Sequence, residues 1–405
     1  MCALRVFVTA ILVAGAVAQT NLSEALLEIP KCATNCAVAQ LIDSQCELTN
    51  FQQCLCSNTT LQSQVAGCAF YNCSIPDQEV TASIFQEIVC KGFPVPSRSG
   101  EVIRTCTIVS AIAFPIVILR YLSRRVISTY IWWDDWFALI AVLLMIPGTT
   151  ILTFISTKGF GKHFWDIPPS NYILLRKLYY VTQINYALTQ NLAKFSILFL
   201  YLRIFPDCNF RLTTKLALAW IFCRVFAFEI ALIFQCVPVA AVWDLTIKGK
   251  CINSQAIVFA GAGFSIAEDI MLMLLPASEI KGLSLSLKKK ITCIFIFALG
   301  SFACITSIVR LKFAFEYGRS IDLTWDNIDL VKWSIIETHA GLICACLFTL
   351  KPLFVKYIPS LLSTESKTPV HPDAAWSLNL FSTLQSRQGG DHTLAESLHS
   401  VDPHA

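Results

Sequence analysis

The sequence predicts a cysteine-stapled module held outside the membrane, followed by a bundle of seven membrane helices. Three observations predict it. Of the 405 residues, 55% are hydrophobic and only 14% are charged, which leaves too little polar surface to cover soluble cores. Eight of the 18 cysteines fall between Cys32 and Cys90. Seven long apolar runs then fill the stretch from 102 to 357. The net charge of +4 is small and dispersed, which excludes the basic footprint of a nucleic-acid-binding protein.

In chain order, residues 1–18 read as a secretory signal peptide. Arg5 supplies a positive start, Val6–Ala16 is apolar but too short to cross a bilayer, and Ala16-Val17-Ala18 has the small-x-small form of a cleavage site. A mature chain beginning at Gln19 would fold in an oxidising compartment. Residues 19–92 form the first domain. Its cysteines are Cys32, Cys36, Cys46, Cys54, Cys56, Cys68, Cys73 and Cys90, an even number in a short segment with few large apolar side chains. Such a segment needs disulfides in place of a core. A zinc site is the competing use of clustered cysteines, but no histidine precedes His163 and no paired C-x2-C motifs face each other. Sequons at Asn21, Asn58 and Asn72 fit passage through the secretory lumen.

The order C-x3-C-x9-C-x7-C-x-C-x11-C-x4-C-x16-C, with Pro30 just before the first cysteine, resembles the fungal CFEM domain. The resemblance implies a small helical basket with pairings Cys32–Cys73, Cys36–Cys68, Cys46–Cys54 and Cys56–Cys90, so the whole chain is expected to be all-α. Haem-binding CFEM domains place an axial aspartate shortly before the fourth cysteine. In the run Leu48-Thr49-Asn50-Phe51-Gln52-Gln53-Cys54, Asn50 stands at that position. A neutral amide does not offset ferric charge and is a poor iron ligand, so no cofactor is expected and haem is disfavoured.

A Pro/Ser/Gly/Arg spacer is assigned to residues 93–101. The apolar runs that follow are Val102–Tyr121, Trp136–Ser156, Leu175–Tyr201, Leu216–Val237, Ile257–Leu275, Ile291–Leu311 and Leu330–Leu350. Each matches the ~20 residues a bilayer requires, and runs of this length without period-2 alternation are helices. A disulfide module must lie outside the cell, so basic residues should collect in the first, third and fifth connections and the tail. They do, as Arg120, Arg124 and Arg125, then Arg203, Arg211 and Lys215, then Lys281 and Lys288–Lys290, then Lys351 and Lys356. The expected topology is a multi-pass plasma-membrane protein with an extracellular amino terminus and a cytoplasmic tail at 358–405, rich in Ser, Thr, Gln and His and disordered. Cys236 and Cys251 flank the outer connection between the fourth and fifth helices and are expected to form a disulfide. Cys106, Cys223, Cys293, Cys304, Cys344 and Cys346 fall in apolar runs and read as packing residues.

Ionisable groups are costly inside a bilayer, so each invites an explanation. The third helix carries Gln183, Gln190 and Lys194 at i, i+7 and i+11, with Asn191 beside them. Arg224 and Glu229 fall in the fourth helix, Glu268 and Asp269 in the fifth, Glu337 and His339 in the seventh. Lys194 and Asp269 lie at similar depth and are expected to pair. Two readings compete for the set: polar contacts that hold helices in register, or a ligand cavity or proton-linked switch built on Glu337, His339 and the amides of the third helix. A retinal pigment is not expected, because Lys332 sits near the end of the seventh helix rather than deep within it.

Several stretches resemble the fungal seven-helix receptor-like, rhodopsin-like family to which CFEM domains are often fused. They include Trp132-Trp133-Asp134-Asp135-Trp136, Gly159-Phe160-Gly161-Lys162-His163-Phe164-Trp165-Asp166, Lys194-Phe195-Ser196 with Tyr201-Leu202-Arg203-Ile204-Phe205-Pro206, Ser307-Ile308-Val309-Arg310 and Lys351-Pro352-Leu353. The resemblance implies a plasma-membrane receptor-like protein sensing extracellular or host-surface cues in pathogenesis-related development. Its expected partners are the lipid bilayer, an unknown extracellular ligand and a heterotrimeric G protein. The alternative reading is a surface haem- or host-directed virulence protein with the bundle as anchor. No HExxH, GxSxG or P-loop motif is present, so no enzyme is expected.

Overall fold

The computed structural model describes residues 27–44, 46, 51–127, 130–280, 287–318, 320 and 322–357. The expected signal peptide at 1–18, Asn21, Asn50 and the tail at 358–405 lie outside the described residues. The chain divides into two compact units, Met1–Phe354 and Val355–Ala405, and of the second only the last helical turn to Tyr357 is described.

Among the described residues the amino-terminal module contains four helices: α1 (Lys31–Asp43), α2 (Phe51–Ser57), α3 (Thr59–Asn72) and α4 (Ile75–Ile84), the last running on into a wider turn over Phe85–Val89. Local chemistry sets the boundaries. Asn58 caps α3 by accepting from the amides of Thr60 and Leu61, and Ser74 caps α4 with Pro76 in its first turn. Its apolar clusters among the described residues are small, Cys56/Ile84/Val89 and Leu55/Leu61/Val65. Disulfides join Cys32 to Cys73, Cys36 to Cys68, Cys46 to Cys54 and Cys56 to Cys90, with Cα separations of 5.5, 5.7, 6.1 and 5.4 Å. They tie α1 to α3 and α2 to the end of α4, restraints a core this small cannot supply.

Seven helices follow: α5 (Ser99–Ile127), α6 (Trp133–Thr157), α7 (Pro169–Ile204), α8 (Cys208–Ile233), α9 (Ser254–Ile280), α10 (Leu287–Tyr317) and α11 (Asn327–Tyr357). Most extend beyond the apolar runs, which mark only the hydrocarbon-matched part of a helix. Two expectations are corrected. Ser99, Gly100 and Glu101 belong to α5 rather than to the spacer assigned to 93–101, because Arg98 and Glu101 pair at i, i+3 across its first turn. The fourth helix ends at Ile233, not Val237. Cys236–Val237 instead pairs with Lys250–Cys251 as the one two-stranded sheet among the described residues, Cys236 opposite Cys251 and bonded to it.

Polar and apolar residues are distributed inside out. Ile108, Phe222 and Phe226 are each about 60% exposed, whereas Arg120, Asp135 and Ser307 are fully buried. An apolar exterior over a polar interior is the arrangement a lipid solvent selects. Among the described residues five helices (α5, α6, α8, α9 and α11) are long and apolar enough to cross a membrane. The third bundle helix, α7, falls short on composition because it is central: it buries Thr182, Thr189, Asn191, Lys194 and Ser196, and a running hydropathy average counts those residues against it. The helices α6 and α7 pack closely along their length. At Gly148 a Cβ would run into the Asn185 side-chain oxygen, so a larger residue there has to displace the amide that donates to the Leu144 carbonyl.

Candidate functional site

The bundle interior holds a continuous network of paired charges. Lys194 on α7 sits between two acids of α9, 3.1 Å from Glu268 Oε2 and 3.0 Å from Asp269 Oδ1, and its ammonium also donates to the Ser265 hydroxyl at 3.0 Å. Arg224 of α8 grips Glu268 with two donors, Nε to Oε1 at 2.7 Å and Nη2 to Oε2 at 2.6 Å, and reaches Asn191 Oδ1. Glu337 of α11 accepts from Tyr186 and Gln190 of α7, each at 2.7 Å, and lies 2.7 Å from Arg310 Nε of α10. Arg310 also stacks over the Tyr186 ring. Ser307 joins the two halves, its hydroxyl 2.6 Å from Asp269 and 2.5 Å from Glu337. One hydroxyl hydrogen serves one carboxylate at a time, so the halves compete for it. Five helices are thereby tied by three cations and three anions.

His339 takes a different place from the one its sequence position suggested. Its Nδ1–H donates to the Ile335 carbonyl, which leaves Nε2 to accept from Ser110 of α5; it joins α5 to α11 rather than joining Glu337. Beside the network lies a cavity of about 190 Å³ bounded by Tyr179, Gln183, Tyr186, Arg224, Glu229 and His339 among others.

Two further clusters close the ends of the bundle, and sequence reasoning found neither. At the end facing the disulfide module, the Trp165 indole donates to Gln62 of α3, and Gln86 donates to the carbonyls of Trp165 and Ile167. Gly159 and Gly161 adopt positive φ of 121° and 96°, and a Cβ on Gly161 would lie 2.8 Å from the Ser99 backbone nitrogen. This turn lets His163 stack between Trp165 and Trp325 while its Nδ1 lies 2.5 Å from Asp322. The imidazole thus joins the α6–α7 loop to the α10–α11 loop, and Trp165 beside it joins them to the module through Gln62. Asp166 alongside has a buried carboxylate oxygen with no partner among the described residues. At the opposite end Arg120, fully buried, donates to Asp135 at 3.0 Å, Asp134 at 2.9 Å and the Ala345 carbonyl at 2.8 Å, and Arg124 adds a second fork to the same two acids. Arg120 and Arg124 are therefore not loop charges but one face of α5 at i, i+4, and that spacing next to Asp134-Asp135 was the available signal.

Burial pushes the Asp166 carboxyl up to about 6, against attraction from His163 and Lys162. Between an unfolded value of about 4 and that raised value the folded chain binds more protons, so stability falls as pH rises through the window. Asp166→Asn is expected to raise the melting temperature at neutral pH and to flatten its dependence below about pH 6; thermal melts of both proteins at neutral and acidic pH provide the check.

Residues 119–356 match the fungal rhodopsin domain and residues 25–91 match the CFEM domain. The chain is 27% identical over 272 residues to fugralins biosynthesis cluster protein 2 of Gibberella zeae, covering 64% of this chain and 63% of that one. It is 31% identical over 226 residues to an SAT4 family membrane protein of Emericella nidulans, covering 55% and 54%. It is 25% identical over 259 residues to the receptor GIN3 of Arthrobotrys oligospora, covering 61% and 60%. The chain thus spans less than two thirds of each of these relatives. No solved structure matches it. With a charge-lined helical bundle beneath a four-disulfide helical module, and with the match reaching over more than half its length, the chain belongs to the fungal rhodopsin domain family and carries a CFEM domain ahead of the bundle.

Proposed function

We propose that this multi-pass membrane protein is a plasma-membrane sensor, with residues 19–92 extracellular, the bundle spanning seven times and residues 358–405 cytoplasmic. A cue engages the module and its adjoining loops, and the bundle passes the change to the opposite end, where a heterotrimeric G protein is the partner the architecture suits. The receptor GIN3 among its relatives supports the reading. The observation that carries it is the charge-paired interior. Charges at a bilayer centre cost about 2.5–3.5 kcal/mol each on insertion scales, and an inert anchor would bury apolar side chains instead. A ligand moves such a bundle only by binding one arrangement better than another, and Ser307, shared between Asp269 and Glu337, provides two arrangements of similar chemistry.

The test is deletion of the gene, followed by complementation with the full chain and with a version lacking residues 19–92, reading the transcriptional response to surface cues. The full chain is expected to restore a response that the deletion loses, and the shortened chain to restore less. A deletion strain that responds like the wild type to every cue contradicts the sensor reading.

A further inference from the structure

The interior charges nearly balance. Lys194, Arg224 and Arg310 are matched by Glu268, Asp269 and Glu337. Glu229 of α8 is the acid left over. It is only 8% exposed, and neither of its carboxylate oxygens has a hydrogen-bond partner among the described residues. Arg224, on the same helix, attracts it through space but directs Nε and Nη2 at Glu268 and Asn191. A buried carboxylate without a donor bears an uncompensated desolvation cost, so the position asks for a partner. The carboxylate lines the cavity of about 190 Å³, whose walls also include Phe228, Leu232, Val258, Tyr179 and Tyr186.

We infer that this cavity is a ligand site for a small lipophilic amine, its ammonium held by Glu229 and its apolar body lying against the aliphatic and aromatic walls. The inference deepens the sensor reading by naming the ligand class at its bundle. Size sets the scale: a cavity of about 150 Å³ admits benzene, so this one holds a ring and a short side chain. Sign sets the head group. The wall arginines are already neutralised by Glu268 and Glu337, so an anionic ligand meets only the unpaired charge of Glu229. An ammonium supplies donors to both bare oxygens.

The test uses the full chain in lipid nanodiscs and three probes that share a body and differ in charge: benzylamine, benzyl alcohol and benzoate. Benzylamine is expected to raise the melting temperature saturably and to bind at least ten-fold more tightly than benzyl alcohol, with benzoate giving no shift. Glu229→Gln is expected to fold and to lose the preference for the amine over the alcohol. The inference is overturned if benzylamine gives no shift, if the alcohol or benzoate matches it, or if Glu229→Gln keeps the amine preference. If that variant does not fold, the three-probe comparison on the unaltered chain decides alone. A chain that binds benzylamine in this way yet fails complementation keeps the site and loses the sensor role; the opposite pair of results loses the site only.

Discussion

Lys194→Met is expected to abolish most delivery of folded protein to the membrane, and Lys194→Met with Asp269→Asn to recover much of it. The single change strips the cation from between Glu268 and Asp269. Arg224 still compensates Glu268, but Asp269 keeps, among the described residues, the Ser307 hydroxyl and no cation. Breaking a buried ion pair on one side costs about 3–5 kcal/mol, because the remaining charge stays buried, whereas neutralising both partners at similar volume is often nearly free. At the lower end that is about a hundred-fold in the ratio of folded to unfolded protein. Size-exclusion profiles of fluorescently tagged variants measure it. A double variant no better than the single would show that Asp269 does not depend on Lys194.

A comparable loss is expected at the far end of the bundle. Arg120→Leu removes three donated hydrogen bonds to α6 and α11 at a site without solvent. Arg120→Lys should fare little better despite keeping the charge, since one ammonium cannot reproduce a planar fork across two carboxylates and a carbonyl. Combining Arg120→Leu with Asp134→Asn and Asp135→Asn should restore folded protein above the level of Arg120→Leu alone. The same tagged-protein profiles read the outcome. Equal behaviour of Arg120→Lys and the wild type would mean that charge alone, not the fork, holds α5 to α6.

The sequence made the architecture legible and the site only partly so. Cysteine spacing and apolar runs are local signals, and they placed the module and the helices. The depth of Lys194 and Asp269 along their helices was also readable, because depth follows from residue count. What a one-dimensional reading lacks is helix azimuth. It could not show that Glu268 rather than Asp269 takes Arg224, that Glu337 takes Arg310 and Tyr186, or that His339 turns to Ser110. Arg120 and Arg124 were read as topology-setting loop charges; Arg120 lies within the apolar run Val102–Tyr121 itself, and α5 runs on past that run to Ile127 and brings Arg124 onto the same helix face. The His163–Trp165–Trp325 stack joins loops about 160 residues apart, a distance no local pattern encodes.

All of this rests on a disulfide module on one side of the membrane and an odd number of crossings beneath it. An epitope placed after Gln19 and another at the carboxyl terminus, stained on intact and then on permeabilised cells, test it most directly. The first epitope should stain on intact cells and the second only after permeabilisation. Staining of both on intact cells, or of neither, would contradict it.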